Sequence, residues 1–114
     1  MRAFLRYKTQ NDVRDDNYLL PSFSNLRIFS NYPDPFNNST IIPFTIPPSG
    51  AEFLIVNSLG RTVLKQIIPA GKGGYKTYNW QGTDSNSCTL PSGRYWVLLK
   101  NRNGKAVEPV SIVR

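Results

Sequence analysis

The chain has 114 residues, fourteen basic and seven acidic side chains for a net charge of +7, one cysteine and no histidine. That inventory excludes Ser-His-Asp and Cys-His catalysis, which need an imidazole. It also excludes an intrachain disulfide and a structural zinc site. The length suits one domain, able to bury roughly two-thirds of the surface of its unfolded chain without metal or disulfide.

The positive charge invites a nucleic-acid reading. The basic residues, however, are spread singly: Arg27, Arg61, Lys65, Lys72, Lys76, Arg94, Lys100, Arg102, Lys105 and Arg114, with no run of four. The RNA-binding ribonucleoprotein signature is absent, so a solvated basic surface is expected and nucleic acid is not an expected partner. Such a surface is compatible with weak attraction to anionic glycan or membrane surfaces. No stretch approaches the roughly eighteen apolar residues of a membrane span. Met1 to Lys8 lacks the apolar core and cleavage site of a signal peptide. The chain therefore either stays inside the cell or is the tail piece of a longer exported protein.

Residues 1–22 mix charged and polar side chains without a period, and Arg14-Asp15-Asp16-Asn17 reads as a solvated linker. The domain is expected from residue 23 to the end, with a short first strand within Leu26–Ser30. Asn31-Tyr32-Pro33-Asp34-Pro35-Phe36-Asn37 follows. Each proline fixes φ, removes a donor, and pushes its predecessor towards extended geometry. A stiff extended corner is predicted, anchored at its two ends by Tyr32 and Phe36, with Asn37 to Ser39 supplying local backbone bonds.

Ile42, Phe44 and Ile46 then alternate with Pro43 and Thr45, the period of a strand. Pro43 places that strand at an edge or a bulge. Pro47-Pro48-Ser49-Gly50 turns the chain, and Ala51, Phe53 and Ile55 line one face of the next strand. Asn57 to Arg61 is a tight reversal in which Gly60 takes positive φ. A strand from Thr62 to Ile68 ends at Pro69. The glycine-rich Ala70 to Gly74 lacks the Gly-Lys-Ser/Thr and helix of a phosphate loop. Tyr78 and Trp80 share one face of the following strand. Gln81 to Gly93 is a polar loop, after which Tyr95, Val97 and Leu99 face the core, and Trp96 faces the other way. Asn103-Gly104 is a hairpin signal, because both positions accept positive φ. It pairs Arg94–Lys100 with a last strand near Ala106–Val113, which Pro109 again assigns to an edge or bulge. Short strands with turns every eight to twelve residues, and no helix-length amphipathic segment, indicate an all-β, immunoglobulin-like sandwich of about seven antiparallel strands.

No chemistry-bearing cluster emerges. Asp84 to Cys88 begins like a calcium loop but lacks its fifth-position oxygen ligand, sixth-position glycine and distant glutamate, so no metal is expected. Asp84 and Glu52 lack any motif for glycoside hydrolysis. Cys88 is expected to be a bystander in a polar loop and not a reactive thiol. Neither catalytic nor cofactor-binding residues are expected. Trp96 is the one aromatic that alternation leaves available for stacking on a sugar.

Three stretches in register carry a resemblance. Asn31 to Thr40 running into Ile41-Ile42-Pro43-Phe44-Thr45-Ile46-Pro47, then Ile55-Val56-Asn57-Ser58-Leu59-Gly60-Arg61-Thr62-Val63, then Trp80-Gln81-Gly82-Thr83-Asp84 with Leu90-Pro91-Ser92-Gly93-Arg94-Tyr95, resemble the type A C-terminal sorting domain of the type IX (Por) secretion system. That family is similar in turn to the immunoglobulin-like domain of the flagellar hook-capping protein. The resemblance covers about Leu26 to Arg114. It gives Tyr32, Pro33, Pro35, Phe36, Gly60, Trp80, Gly82, Asp84, Ser92, Gly93 and Tyr95 a structural role. It implies a non-catalytic export tag at the end of a cargo protein, read by outer-membrane secretion machinery. The cargo would pass through the periplasm to the cell surface or the medium. Asp34, Asn38, Gln81 and Ser87-Cys88 depart from the family pattern, all in turns.

The terminal strand ends Val110-Ser111-Ile112-Val113-Arg114, and these five residues are the expected recognition element. They would lie at a sheet edge open to strand addition by a receptor. Their deletion would abolish export and spare most of the fold. The alternative function is a surface adhesion or carbohydrate-binding sandwich with a cell-surface glycan as partner. A structural assembly domain is a third class.

Overall fold

The computed structural model describes residues 26–114; the expected linker over residues 1–22 lies outside them. Seven strands follow in order: β1 (Arg27–Ile28), β2 (Thr40–Ile46), β3 (Ala51–Val56), β4 (Thr62–Ile68), β5 (Gly74–Trp80), β6 (Gly93–Asn101) and β7 (Gly104–Ile112). They form two antiparallel sheets, β1-β2-β5 and β4-β3-β6-β7. The fold is an all-β sandwich with immunoglobulin-like strand order.

The period-two residues meet between the sheets. Ile42, Phe44 and Ile46 of β2 face Phe53 and Ile55 of β3, Val97 and Leu99 of β6, and Val110 and Ile112 of β7, all buried. Phe53 is the hinge of an aromatic contact across the layers, with ring centroids 5.2 Å from Phe44 and 5.1 Å from Tyr78. Tyr95, at the start of β6, donates its hydroxyl hydrogen to the carbonyl of Pro91 four residues upstream at 2.8 Å. This is a tyrosine-corner bond of the kind that fixes this strand in immunoglobulin-like domains.

Two prolines act differently from one another. Pro109 stands on β7, at the edge of the four-stranded sheet, as expected. Pro43 meets the other half of its expectation: β2 is the middle strand of its sheet, and a bulge lies beside the proline. The carbonyl of Pro43 accepts the Phe29 N–H at 2.9 Å, so its missing donor faces the carbonyl side of Phe29. The return bond cannot form, and the β1–β2 ladder stops at Ile28↔Phe44. It resumes where Tyr32 and Ile41 exchange both bonds, leaving Ser30 and Asn31 opposite Ile42 alone. The proline is tolerated in a central strand because its neighbour bulges away.

The β6–β7 hairpin also differs from expectation. Its turn is centred on Arg102-Asn103, between the pair Asn101↔Gly104, and positive φ is used at neither Asn103 nor Gly104. The Asn101 carboxamide oxygen accepts the Asn103 N–H at 2.8 Å, so a side chain closes the turn that glycine was expected to close. Gly60 does take φ of 80° as predicted. Asn57 frames that reversal, its side-chain oxygen accepting from the N–H groups of Leu59 and Arg61 at 3.0 Å.

The corner from Tyr32 to Phe36 has both X-Pro bonds cis. Phe36 is buried as expected, 2% exposed, but Tyr32 is 57% exposed. Tyr32 anchors through its backbone bridge to Ile41 instead of its ring. Nor do Asn37 to Ser39 stitch the corner with their side chains. Buried Thr40 donates from Oγ1 to the Pro33 carbonyl at 2.8 Å and accepts from Asn31 Nδ2 at 3.1 Å. Thr40→Val removes both bonds from a site that water does not reach. It is expected to cost about 1–3 kcal/mol, read as a lower midpoint in urea unfolding.

Candidate functional site

The site follows from how the chain leaves β6 and returns along β7. In the β6–β7 ladder, alternate residues turn their N–H and C=O away from β6. Ser111 is one of these. Its N–H donates to Asp34 Oδ1 at 2.9 Å, and its carbonyl accepts the Phe36 N–H at 3.1 Å. Val113 N–H then donates to the Phe36 carbonyl at 2.8 Å. Phe36 thus forms a one-residue parallel bridge with Ile112. The proline corner is a clasp on the outside of the terminal strand.

Arg114 completes the latch. Its backbone N–H donates to Ser92 Oγ at 2.8 Å. Its guanidinium donates to three carbonyls: Nε to Leu90 at 2.8 Å, Nη1 to Asn37 at 2.9 Å and Nη2 to Gly82 at 2.9 Å. The planar fork of arginine suits three divergent acceptors in a way lysine could not. Gly82 has φ of 70°, which favours glycine, and a Cβ there would stand 2.5 Å from Arg114 Nη2, so the guanidinium would have to shift.

Beneath the latch, the separated motifs meet. Phe36 packs on Trp80 at 5.5 Å, and Trp80 meets Tyr95 edge-on at 5.7 Å. Trp80 is fully buried and donates Nε1–H to the Thr83 carbonyl at 2.8 Å. Asp84 spends its carboxylate on its own loop, Oδ1 accepting from the N–H groups of Asn86 and Cys88 at 2.9 Å. Ser87 sits there at φ 64°, a conformation that favours glycine. Ser92 and Gly93 hold the start of β6, Ser92 by its bond to the terminal residue.

The expected recognition residues therefore divide. Val110 and Ile112 are core, 0% and 1% exposed, whereas Val113 is 53% exposed. β7 does lie at an edge. Deleting Val110 to Arg114 would nevertheless remove two core side chains and the clasp's partner, so it cannot spare the fold. Asp34 and Arg114 were the contacts least visible beforehand. Asp34 reaches Ser111 across 77 positions, a contact that no sequence pattern marked. Trp96 faces outward and is half-buried. Cys88 is exposed and free. Among the described residues no three His, Cys, Asp or Glu side chains cluster as a metal site, and no helix is long and apolar enough to cross a membrane.

No family model matches the chain, and no curated protein matches it. Among solved structures it is similar to PorZ of Porphyromonas gingivalis, described as an essential bacterial surface component of the type IX secretion system, with a TM-score of 0.53 and 14% identity. The likeness covers 76% of this chain and 11% of PorZ. It concerns the sandwich fold of a small part of that protein.

Burial raises the pKa of the Tyr95 phenol above its ordinary 10.0, and the Arg114 charge pulls it partly back. Burial also raises that of Tyr78. Both phenols are thus held neutral in the folded state. The stability they contribute is complete below pH 10 and is lost as pH rises through their higher folded values. Arg114→Gln removes the opposing charge, so ultraviolet titration of the folded variant should show one tyrosine ionising later than in the parent. Gly82→Ala should displace the guanidinium and lower stability by about 1–2 kcal/mol from strain and lost bonds together, measured by thermal unfolding. Arg114→Gln combined with Gly82→Ala should cost less than the sum of the two, because both disturb one contact.

Proposed function

We propose that this domain is a non-catalytic C-terminal sorting domain that directs an exported cargo through the type IX secretion system to the cell surface or medium. One observation carries the reading. The first and third stretches of the resemblance, far apart in the chain, supply Phe36 and the pair Trp80 and Tyr95 to one cluster, and that cluster supports the clasp on the terminal strand. Motifs that merely coincided would have no reason to converge there. The sandwich likeness to part of PorZ, itself a surface component of that system, is consistent with it. The partner is outer-membrane secretion machinery, and the contact is to the edge of β7.

A second reading, a glycan-binding surface module, has Trp96 in its favour because its ring faces outward. The strand partners of Trp96 on that face, Val56 and Pro109 by register, are aliphatic, and the adjacent polar pair, Arg94 and Ser111, is engaged in its own hydrogen bond at 3.1 Å. Sorting is therefore the reading we adopt.

The test fuses the full chain to a reporter exported to the periplasm of a bacterium with type IX secretion. The reporter should appear at the surface or in the medium, and should stay in the periplasm of a strain lacking the secretion machinery. Retention of a folded fusion in the competent strain, or equal release in both strains, would refute the assignment.

A further inference from the structure

The clasp covers only one end of the free edge of β7. Ser111 and Val113 use their outward groups on Asp34 and Phe36. The ladder to β6 runs without a bulge from Gly93↔Ile112 to Asn101↔Gly104. By alternation, Lys105, Val107 and Pro109 also turn their backbone groups away from β6. Pro109 has no donor to offer. Among the described residues, the open edge thus consists of the N–H and C=O pairs of Lys105 and Val107, with the Pro109 carbonyl beside the clasp.

The side chains of Lys105 and Val107 lie on the outer face of the sheet, and both are exposed. Two cross-strand rows end on them. One runs Lys65–Leu54–Leu98–Val107 and the other Ile67–Glu52–Lys100–Lys105. Val107 is 48% exposed at the end of an apolar row. Lys105 ends a row whose single acid, Glu52, is shared with Lys100 at 3.9 Å. A strand added to this edge would extend both rows.

We infer that residues Lys105 to Pro109 are a strand-addition site for an extended segment of a partner protein, with an apolar residue opposite Val107 and an acidic residue two positions away opposite Lys105. This rests on the sorting reading for its biological partner, though not for its geometry. That the edge accepts a strand is already evident from Phe36, which pairs with it from the outside. The lysine and the proline that deny the edge to an indiscriminate strand also select an acidic one of short register. A second copy of this chain is a poor occupant. Two-fold pairing centred on Val107 places Pro109 opposite Lys105 twice, losing a donor each time and setting no acid against the lysine.

The test uses the full chain, a capped ten-residue peptide alternating valine and threonine with one central glutamate, and the same peptide with lysine for the glutamate. Amide resonances of Lys105 and Val107 should shift with the glutamate peptide, and their hydrogen exchange should slow at least tenfold. The lysine peptide should bind at least fivefold more weakly. Val107→Pro removes the outward donor without touching the β6 ladder, as Pro109 already does two residues on, and should abolish the shifts. Lys105→Glu should reverse the preference between peptides, which keeps the site testable if the proline variant fails to fold. Shifts centred on β4 or β5, an unchanged response in folded Val107→Pro, or dimerisation through β7 would overturn the site. The reporter fusion separates the two claims. Export of Val107→Pro at the parental level, with peptide pairing lost, removes this edge as the sorting contact while sorting stands. Failure of the parent to be exported, with peptide pairing intact, removes sorting and leaves the strand-addition site.

Discussion

The contact on which the rest of this structure depends is Phe36 against Trp80. Phe36 is the last residue of a corner that has no ladder of its own beyond single bridges. Burying its ring against a fully buried indole gives that corner a fixed position, and aromatic pairs of this geometry contribute about 0.5–1.5 kcal/mol beyond the area they bury. Once Phe36 is fixed, its N–H and C=O stand where β7 can pair with them. Asp34 two residues earlier then reaches the Ser111 N–H, and the Asn37 carbonyl one residue later receives Arg114. A local side-chain contact therefore sets the backbone environment of a segment 75 residues or so away, as loop closure over long separations requires.

The same logic explains the composition of the β5–β6 connection. Trp80 needs an acceptor for its indole N–H, and the chain supplies it at Thr83 by turning sharply through Gly82. That turn leaves the Gly82 carbonyl directed at the terminal residue, where it accepts from both Leu90 and Arg114. Tyr95 meets the other side of Trp80 and is itself held by Pro91. The positions that look like isolated short motifs in the sequence are one hydrogen-bonded and aromatic unit in space. Most of their polar groups are spent on backbone geometry.

Much of this could be read from residue order. Alternation placed Ile42, Phe53, Ile55, Val97 and Leu99 inside and Trp96 outside, because a strand with one buried face admits no other register. Turns were less legible. Asn103-Gly104 permits positive φ but does not compel it, and Asn101 supplied a competing closure one residue earlier. Pro43 was assigned to an edge or a bulge because a proline cannot donate; order alone could not tell that the bulge, Ser30 and Asn31 opposite Ile42, lies in the neighbouring segment and lets β2 stay central. Tyr32 illustrates the commonest failure. Its ring is large and apolar, but its backbone exchanged two bonds with Ile41, and that sufficed to fix it while the ring stayed in solvent. Contacts made by side chains to distant backbone, such as Asp34 to Ser111 and Arg114 to three carbonyls, leave no periodic trace and were invisible before the fold was known.

The clasp also bears on how an edge strand can be both safe and available. An exposed edge invites unwanted pairing, and proteins blunt it with lysine, proline or a covering segment. β7 uses all three, distributed along its length: Lys105 at the hairpin end, Pro109 in the middle, and the clasp over Ser111 to Val113. Were the whole edge covered, pairing with any added strand would require the clasp to detach from a buried aromatic cluster, and the latch of Arg114 would have to break with it. Leaving two donor–acceptor pairs open avoids that cost. The core and the proposed strand-addition edge can then coexist on one strand, with Val110 and Ile112 fixing its position while Lys105 and Val107 remain exposed. Stability and selectivity are thus divided by position along β7, and the division falls at the proline.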